Sequence, residues 1–247
     1  MDYVPPTNPE PPRRTWLDRV QALFEVLLLS GLLSSLLAGL ILYPFHSWKP
    51  PNLLQSAKSL SIFLLLESGI AFLILAVILR TRRETISSLG LSWNRWKVHL
   101  ATGLALVPLL FLLNGVVAVI FKTYFPQYYL EDNPLIQLIQ TPQQLVLLIF
   151  SALVAGGIKE ELQRAFILTR FRLYLGGAGL GLVLWSIGFG AGHYVQGVQG
   201  IITAGLYGLI FGIIYLQSGS LIAPIVAHGA YDSVALIAYW YFARHLQ

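Results

Sequence analysis

Seven apolar runs, each near the ~20 residues a helix needs to cross a hydrocarbon core, follow one another along this chain of 247 residues with short polar connections between them. They fall at about 16–45, 57–79, 98–121, 145–171, 178–194, 200–216 and 221–242. Hydrophobic residues make up 56% of the chain and charged residues only 11%, against roughly 25% charged in soluble domains. The expected fold is therefore all-α, a polytopic transmembrane bundle of about seven spans. The runs leave room for one membrane domain, residues 16–247, behind a polar, proline-rich lead of residues 1–15 that cannot pack a core. The first run is too long for a signal peptide's apolar core and lacks a clear small-residue cleavage site, so it reads as an uncleaved span.

The chain contains no cysteine, which removes disulfides, thiolate metal sites and cysteine nucleophiles together. Hydrolytic chemistry must then rest on carboxylate, imidazole or hydroxyl groups. The formal net charge of +5 does not point to nucleic acid, because the basic residues sit beside the ends of apolar runs, where anionic lipid and membrane orientation account for them. One side collects Arg13, Arg14, Arg19, Arg80, Arg82, Arg83, Arg95, Lys97, Arg170 and Arg172; the other has Lys49, Lys58, Lys122 and Arg244. The positive-inside rule makes the first side cytoplasmic, with the N-terminus inside and, after seven spans, the C-terminus outside. The membrane concerned is the plasma membrane if the chain is bacterial.

The segment from Gly156 to Arg172 carries the most charge at depth. Lys159, Glu160, Glu161 and Arg164 all lie within an apolar run, and each ionisable group near the bilayer centre costs about 2.5–3.5 kcal/mol on insertion scales. Such groups need partners or water. On a helix Arg164 stands four residues from Glu160 and three from Glu161, so it can lean on either carboxylate and leave the other free. A buried ion pair that merely joins helices would have the same spacing.

Two further runs carry ionisable groups at helical spacing: Phe189 and His193, then His228 and Asp232. Two histidines and three carboxylates on three helices support two kinds of chemistry. In one, Glu160 is a general base for water while His193 and His228 hold that water or stabilise an oxyanion. In the other, Glu160, His193, His228 and Asp232 supply ligands to a divalent metal such as zinc, which lowers the pKa of its bound water to about 7. Both lead to peptide hydrolysis in a protein-lined cavity, and these residues do not choose between them. Asp232, one turn beyond His228, is placed to orient an imidazole.

Other polar groups are assigned smaller roles. Glu67 is expected to face the cavity or to bond Ser61, Ser68 or backbone, Lys159 to neutralise Glu160 or reach for the surface, and Glu25 to lie near an interface where solvation suffices. Glycines at 188, 192, 208 and 212 recur at the four-residue spacing that allows close helix packing.

Taken in order, Glu160-Glu161 with Arg164, Phe189 to His193, and His228 to Asp232 resemble the EExxxR, FxxxH and HxxxN/D motifs of the CAAX-protease and bacteriocin-processing intramembrane endopeptidases, which include the type II CAAX prenyl endopeptidase. The resemblance spans about Leu145 to Tyr239, within the core helices at about 145–242. The family's arginine usually falls five residues after the first glutamate. That position is Ala165 here, and moving the guanidinium one residue earlier turns it by about 100° around the helix, toward Glu160 more than Glu161.

The resemblance implies an endopeptidase that cuts near the C-terminus of a membrane-associated or lipid-anchored, CAAX-like peptide, in a cavity open to the cytoplasm or to lipid. Glu160 would activate water, and Glu161, Arg164, His193, His228 and Asp232 would complete the site. Its partners would be membrane lipid and that peptide, prenylated in eukaryotic members. A non-proteolytic scaffold or bacteriocin immunity factor on the same fold is the alternative, and a proton-coupled transporter a third reading.

Overall fold

The computed structural model describes residues 15–45, 56–131, 133–135 and 137–245, with side chains as far as Phe242. The lead up to Arg14, His46, Lys49, the Pro50-Pro51 break and Asp132 lie outside the described residues. Within them the chain is helical, and no strand forms.

The first apolar run is two helices, α1 (Trp16–Leu29) and α2 (Leu32–Leu42), bent by 42°. Thr15 starts α1 with a capping box to Asp18, which satisfies backbone donors that a helix start leaves open. Gly31 breaks the run with φ +96°, a left-handed conformation that costs glycine little. The Leu29 carbonyl at the break accepts a hydrogen bond from Gln163 Nε2 at 3.0 Å. The break is thus joined to the middle of the molecule.

α3 (Ala57–Thr81) and α4 (Trp96–Tyr124) are long and apolar, and α4 turns most of its surface outward, with Leu104, Leu112 and Val119 all exposed. Next comes one helical rod in three parts: α5 (Pro142–Ala152), a π-helical segment (Leu153–Glu160) and α6 (Glu161–Tyr174). α7 (Ala178–Gly192), α8 (Gly197–Ser218) and α9 (Ile222–His245) complete the bundle.

Four of these helices are long and apolar enough to cross a membrane: α3, α4, α8 with its leading turn, and α9 as far as Phe242. The bent α1–α2 pair makes a fifth if it is one span. Among the described residues, length and composition therefore support a multi-pass membrane protein with four or five candidate spans, and the seven expected are not all matched by this test. The run at 145–171 lies in the rod that carries Lys159, Glu160, Glu161 and Arg164, and the run at 178–194 yields a helix of 15 residues, about 22 Å long at 1.5 Å per residue.

α6 inverts the usual arrangement of a soluble protein. From Glu161 to Phe171 every residue is buried, including Gln163, Arg164 and Arg170, while apolar side chains of α1, α4 and α7 are exposed. Around α6 lies the main core, built from Leu29, Leu75, Leu162, Phe166, Leu168 and Leu221 among others. At the end of the bundle where α3 ends and α4 begins, Arg170 donates to Glu25 at 2.7 Å and to both Glu84 oxygens at 3.0 Å, and Arg82 donates to Glu25 at 2.6 Å. Glu25 is thus a buried bridge, 4% exposed, where the sequence suggested a solvated interfacial residue.

The glycine pattern is also redistributed. A Cβ on Gly208 would stand 3.1 Å from Ser186 Cα, and one on Gly190 would stand 2.5 Å from the Ile201 carbonyl, whereas Gly188 and Gly192 face open space. Close approach of α7 to α8 therefore uses Gly190, Gly205, Gly208 and Gly212, the last against Leu182, while Gly188 and Gly192 of the expected series take no part.

Candidate active site

The site forms where the rod passes α9. Gly156, Gly157 and Gly229 bring the two backbones together: a Cβ on Gly157 would meet Gly229 Cα at 3.3 Å, and one on Gly156 would fall 2.7 Å from Asp232 Oδ2 and 3.2 Å from His228 Nε2. Ala155, Gly156 and Gly157 occupy the π-helical segment, whose wider turn interrupts the α-helical register just before the glutamates. Glu160 closes that segment and Glu161 opens α6. The two carboxylates consequently part company.

Glu161 is fully buried and points away from solvent. Its Oε2 pairs with Arg164 Nη1, and its Oε1 accepts a hydrogen bond from His228 Nδ1 at 2.8 Å. The shifted arginine therefore serves Glu161, not Glu160. Arg164 also lies between two rings, 5.0 Å from Phe189 and 5.3 Å from Phe211, a cation–π setting suited to a guanidinium away from water. Phe211 in turn stacks on His228 at 5.1 Å. One imidazole face is thereby fixed.

Glu160 turns the other way, into a cavity of about 600 Å³, within the ~300–1,000 Å³ typical of ligand sites. Gly156, His193, His228 and Asp232 share its wall, with Tyr207, Tyr231 and Asn114 around them. His228 Nε2 stands 3.9 Å from Glu160 Oε2 and 3.6 Å from Asp232 Oδ2. His193 Nδ1 lies 2.8 Å from the Phe189 carbonyl; a carbonyl only accepts, so this nitrogen donates and the neutral ring keeps Nε2 as an acceptor. Tyr207 donates to the Leu110 carbonyl at 2.7 Å and packs edge-on against Tyr231.

The six residues singled out from sequence thus divide. Glu160, His193, His228 and Asp232 border the cavity, while Glu161 and Arg164 form a buried layer behind His228. Among the described residues, no group of three or more His, Asp or Glu side chains is arranged to hold a metal ion. The four residues expected as ligands, Glu160, His193, His228 and Asp232, all border this one cavity, with His228 Nδ1 on Glu161 and its Nε2 left toward Glu160 and Asp232.

The structure adds residues that spacing did not single out. Gly156 makes room for Asp232 and His228, a role that a lone glycine does not announce. Lys159 is buried and donates to Glu67 Oε2 at 2.7 Å, with Glu160 Oε1 at 3.6 Å. Glu67 takes its second bond from Ser34, not from Ser61 or Ser68. Their intramembrane charge was the available signal, but the pairing joins residues 92 positions apart.

The cavity extends to Tyr129, Leu130, Glu131 and Asn133 of the connection after α4, and to Gln196 and Gln199 at the start of α8. α4 runs from Trp96 to Tyr124, so this connection lies at the end opposite the Arg82–Glu25–Arg170–Glu84 cluster.

Residues 141–234 match the family described as type II CAAX prenyl endopeptidase Rce1-like. The match takes in the whole rod from Thr141 and all three motifs, and bears out the resemblance read from them. Among curated proteins and among solved structures, none matches the chain.

Proposed function

Taking as premise that residues 141–234 form an Rce1-like domain, we propose that this protein is an intramembrane endopeptidase that hydrolyses a peptide bond near the C-terminus of a membrane-associated, CAAX-like peptide with water activated by Glu160. The observation that carries this reading is the division of the glutamate pair. Glu161 is spent on Arg164 and His228, whereas Glu160 borders the cavity.

In the proposed reaction, Glu160 Oε2 accepts a proton from water while His193 Nε2 accepts the water's second hydrogen, aligning a lone pair on the substrate carbonyl. The new C–O bond places charge on the carbonyl oxygen, and His228, an imidazolium among Glu160, Glu161 and Asp232 that donates from Nδ1 to Glu161, donates its Nε2–H to that charge. Asp232 orients the same ring from one turn away. Collapse of the tetrahedral species breaks the C–N bond, and the proton held by Glu160 passes to the leaving amine. A positioned acid–base group of this kind is worth roughly 10²–10⁴-fold.

The arginine-rich end is assigned to the cytoplasm, which puts the N-terminus inside. On that assignment the cavity meets water on the opposite face, whereas the expectation from the sequence is an opening to the cytoplasm or laterally to lipid.

The test is cleavage of quenched fluorescent peptides, one farnesylated on a cysteine near its C-terminus and one unlipidated, by the purified protein in detergent. Wild type is expected to cleave at least one and Glu160→Gln neither, with both proteins eluting alike on gel filtration. Undiminished cleavage by Glu160→Gln would overturn the assignment of the base.

A further inference from the structure

The reaction above leaves unused three buried polar side chains that meet directly behind Glu160. Ser34 on α2, Glu67 on α3 and Lys159 in the π-helical segment are 1%, 2% and 7% exposed. Ser34 donates to Glu67 Oε1 at 2.5 Å, Lys159 Nζ donates to Glu67 Oε2 at 2.7 Å, and the same ammonium stands 3.6 Å from Glu160 Oε1. The other oxygen of Glu160 is the one that faces His228, at 3.9 Å. The two oxygens of the proposed base therefore have separate surroundings.

We propose that Ser34, Glu67 and Lys159 form a positioning relay that holds Glu160 Oε1 against an ammonium group and thereby aims Oε2 into the cavity. This inference rests on the endopeptidase reading. Two of the three residues, Ser34 and Glu67, lie outside the segment that matches the family, so the relay joins α2 and α3 to the matched rod. The Gly31 break contributes as well, since it opens α2 two residues before Ser34, and Ser34 Oγ lies 3.1 Å from the Gly31 carbonyl.

The charges that surround Glu160 are Lys159 beside it, Arg164 on α6, His193 on α7, and His228 and Asp232 on α9. Arg164 is committed to Glu161 and the imidazoles face the substrate side. Lys159 is thus the permanent cation available to Glu160. Glu67 matters through Lys159 alone, because it draws the ammonium to a fixed point and offsets the second charge of the pair.

The experiment compares wild type with Lys159→Met, Lys159→Arg, Glu67→Gln and the Glu67→Gln/Lys159→Met double variant, using the peptide cleaved in the assay above, and measures kcat and KM across pH. A base must be ionised to act, and removing a cation at this distance disfavours the ionised form. The acid limb of kcat/KM for Lys159→Met should move to higher pH by about one unit or more. Its kcat should fall roughly 10- to 100-fold, the scale on which supporting residues behind a reactive group act, with KM within about twofold because Lys159 does not border the cavity. Lys159→Arg should restore most of the rate, and the double variant should fall no further than Lys159→Met. Thermal unfolding of each variant accompanies the kinetics. A Lys159→Met protein that loses rate with an unmoved acid limb, or keeps the wild-type rate, overturns the relay while Glu160→Gln still decides the reaction. Full activity in Glu160→Gln, or a wild type that cleaves neither peptide, overturns both.

Discussion

Glu160 and Glu161 are neighbours in sequence with opposite fates, and substitutions should separate them. Glu161→Gln leaves Arg164 buried without its carboxylate, and breaking a buried pair from one side costs about 3–5 kcal/mol. The variant should unfold at markedly lower temperature in a detergent melt, whereas Glu160→Gln should melt like wild type and lose only cleavage. Gly156 offers a third outcome. A Cβ there would sit 2.7 Å from Asp232 Oδ2, inside van der Waals contact, so Gly156→Ala should lower kcat/KM at least about tenfold through displacement of Asp232 and His228, read in the same peptide assay. At this scale the sequence was informative about which residues matter and poor about whom they bind. Arg164 was expected to lean toward Glu160 more than Glu161, and it pairs with Glu161 at i,i+3, the other spacing that an α-helix allows.

The element that sets the site is the rod from Pro142 to Tyr174, and its irregular stretch can be tested by itself. A π-helical segment behaves as an inserted residue in an α-helix, so deleting Val154 should restore regular winding and turn the face that carries Gly156 and Gly157 away from α9. Circular dichroism should show unchanged helix content, and cleavage should be lost. Helix existence was legible from the apolar runs, and the observed ends lie close to the expected ones: α3 was expected at 57–79 and is found at Ala57–Thr81. The π-helical winding was not legible, because Ala155, Gly156 and Gly157 are compatible with either geometry and only packing on α9 selects between them. The break at Gly31 was hidden for a related reason, since the Leu29 carbonyl freed beside it is satisfied by Gln163, 134 residues further on.

Across the whole molecule, the two ends of the bundle differ in kind. One is closed by the Glu25–Arg82–Arg170–Glu84 cluster, and the other carries the cavity's connection around Glu131. The absence of native cysteine makes their sidedness directly measurable. A membrane-impermeant maleimide should label Glu131→Cys in intact cells and Ser87→Cys only after permeabilisation; the reverse pattern would place the cavity mouth in the cytoplasm. Composition made the membrane class plain, whereas the number of spans was less legible, since apolar length alone does not register the rod's charges or the shortness of α7, which set those helices apart from the four long apolar ones.

The buried polarity of α6 has a consequence for how the chain is made. Lys159, Glu161 and Arg164 each add about 2.5–3.5 kcal/mol to the work of entering lipid alone, and Arg170 adds a further charge nearer the end, so the rod is a poor substrate for insertion by itself. Two of those groups find partners on helices synthesised earlier: Lys159 on Glu67 of α3, and Arg170 on Glu25 of α1. Leaving the insertion machinery should therefore be a joint event, with α1–α3 waiting in place as the docking partner for α6.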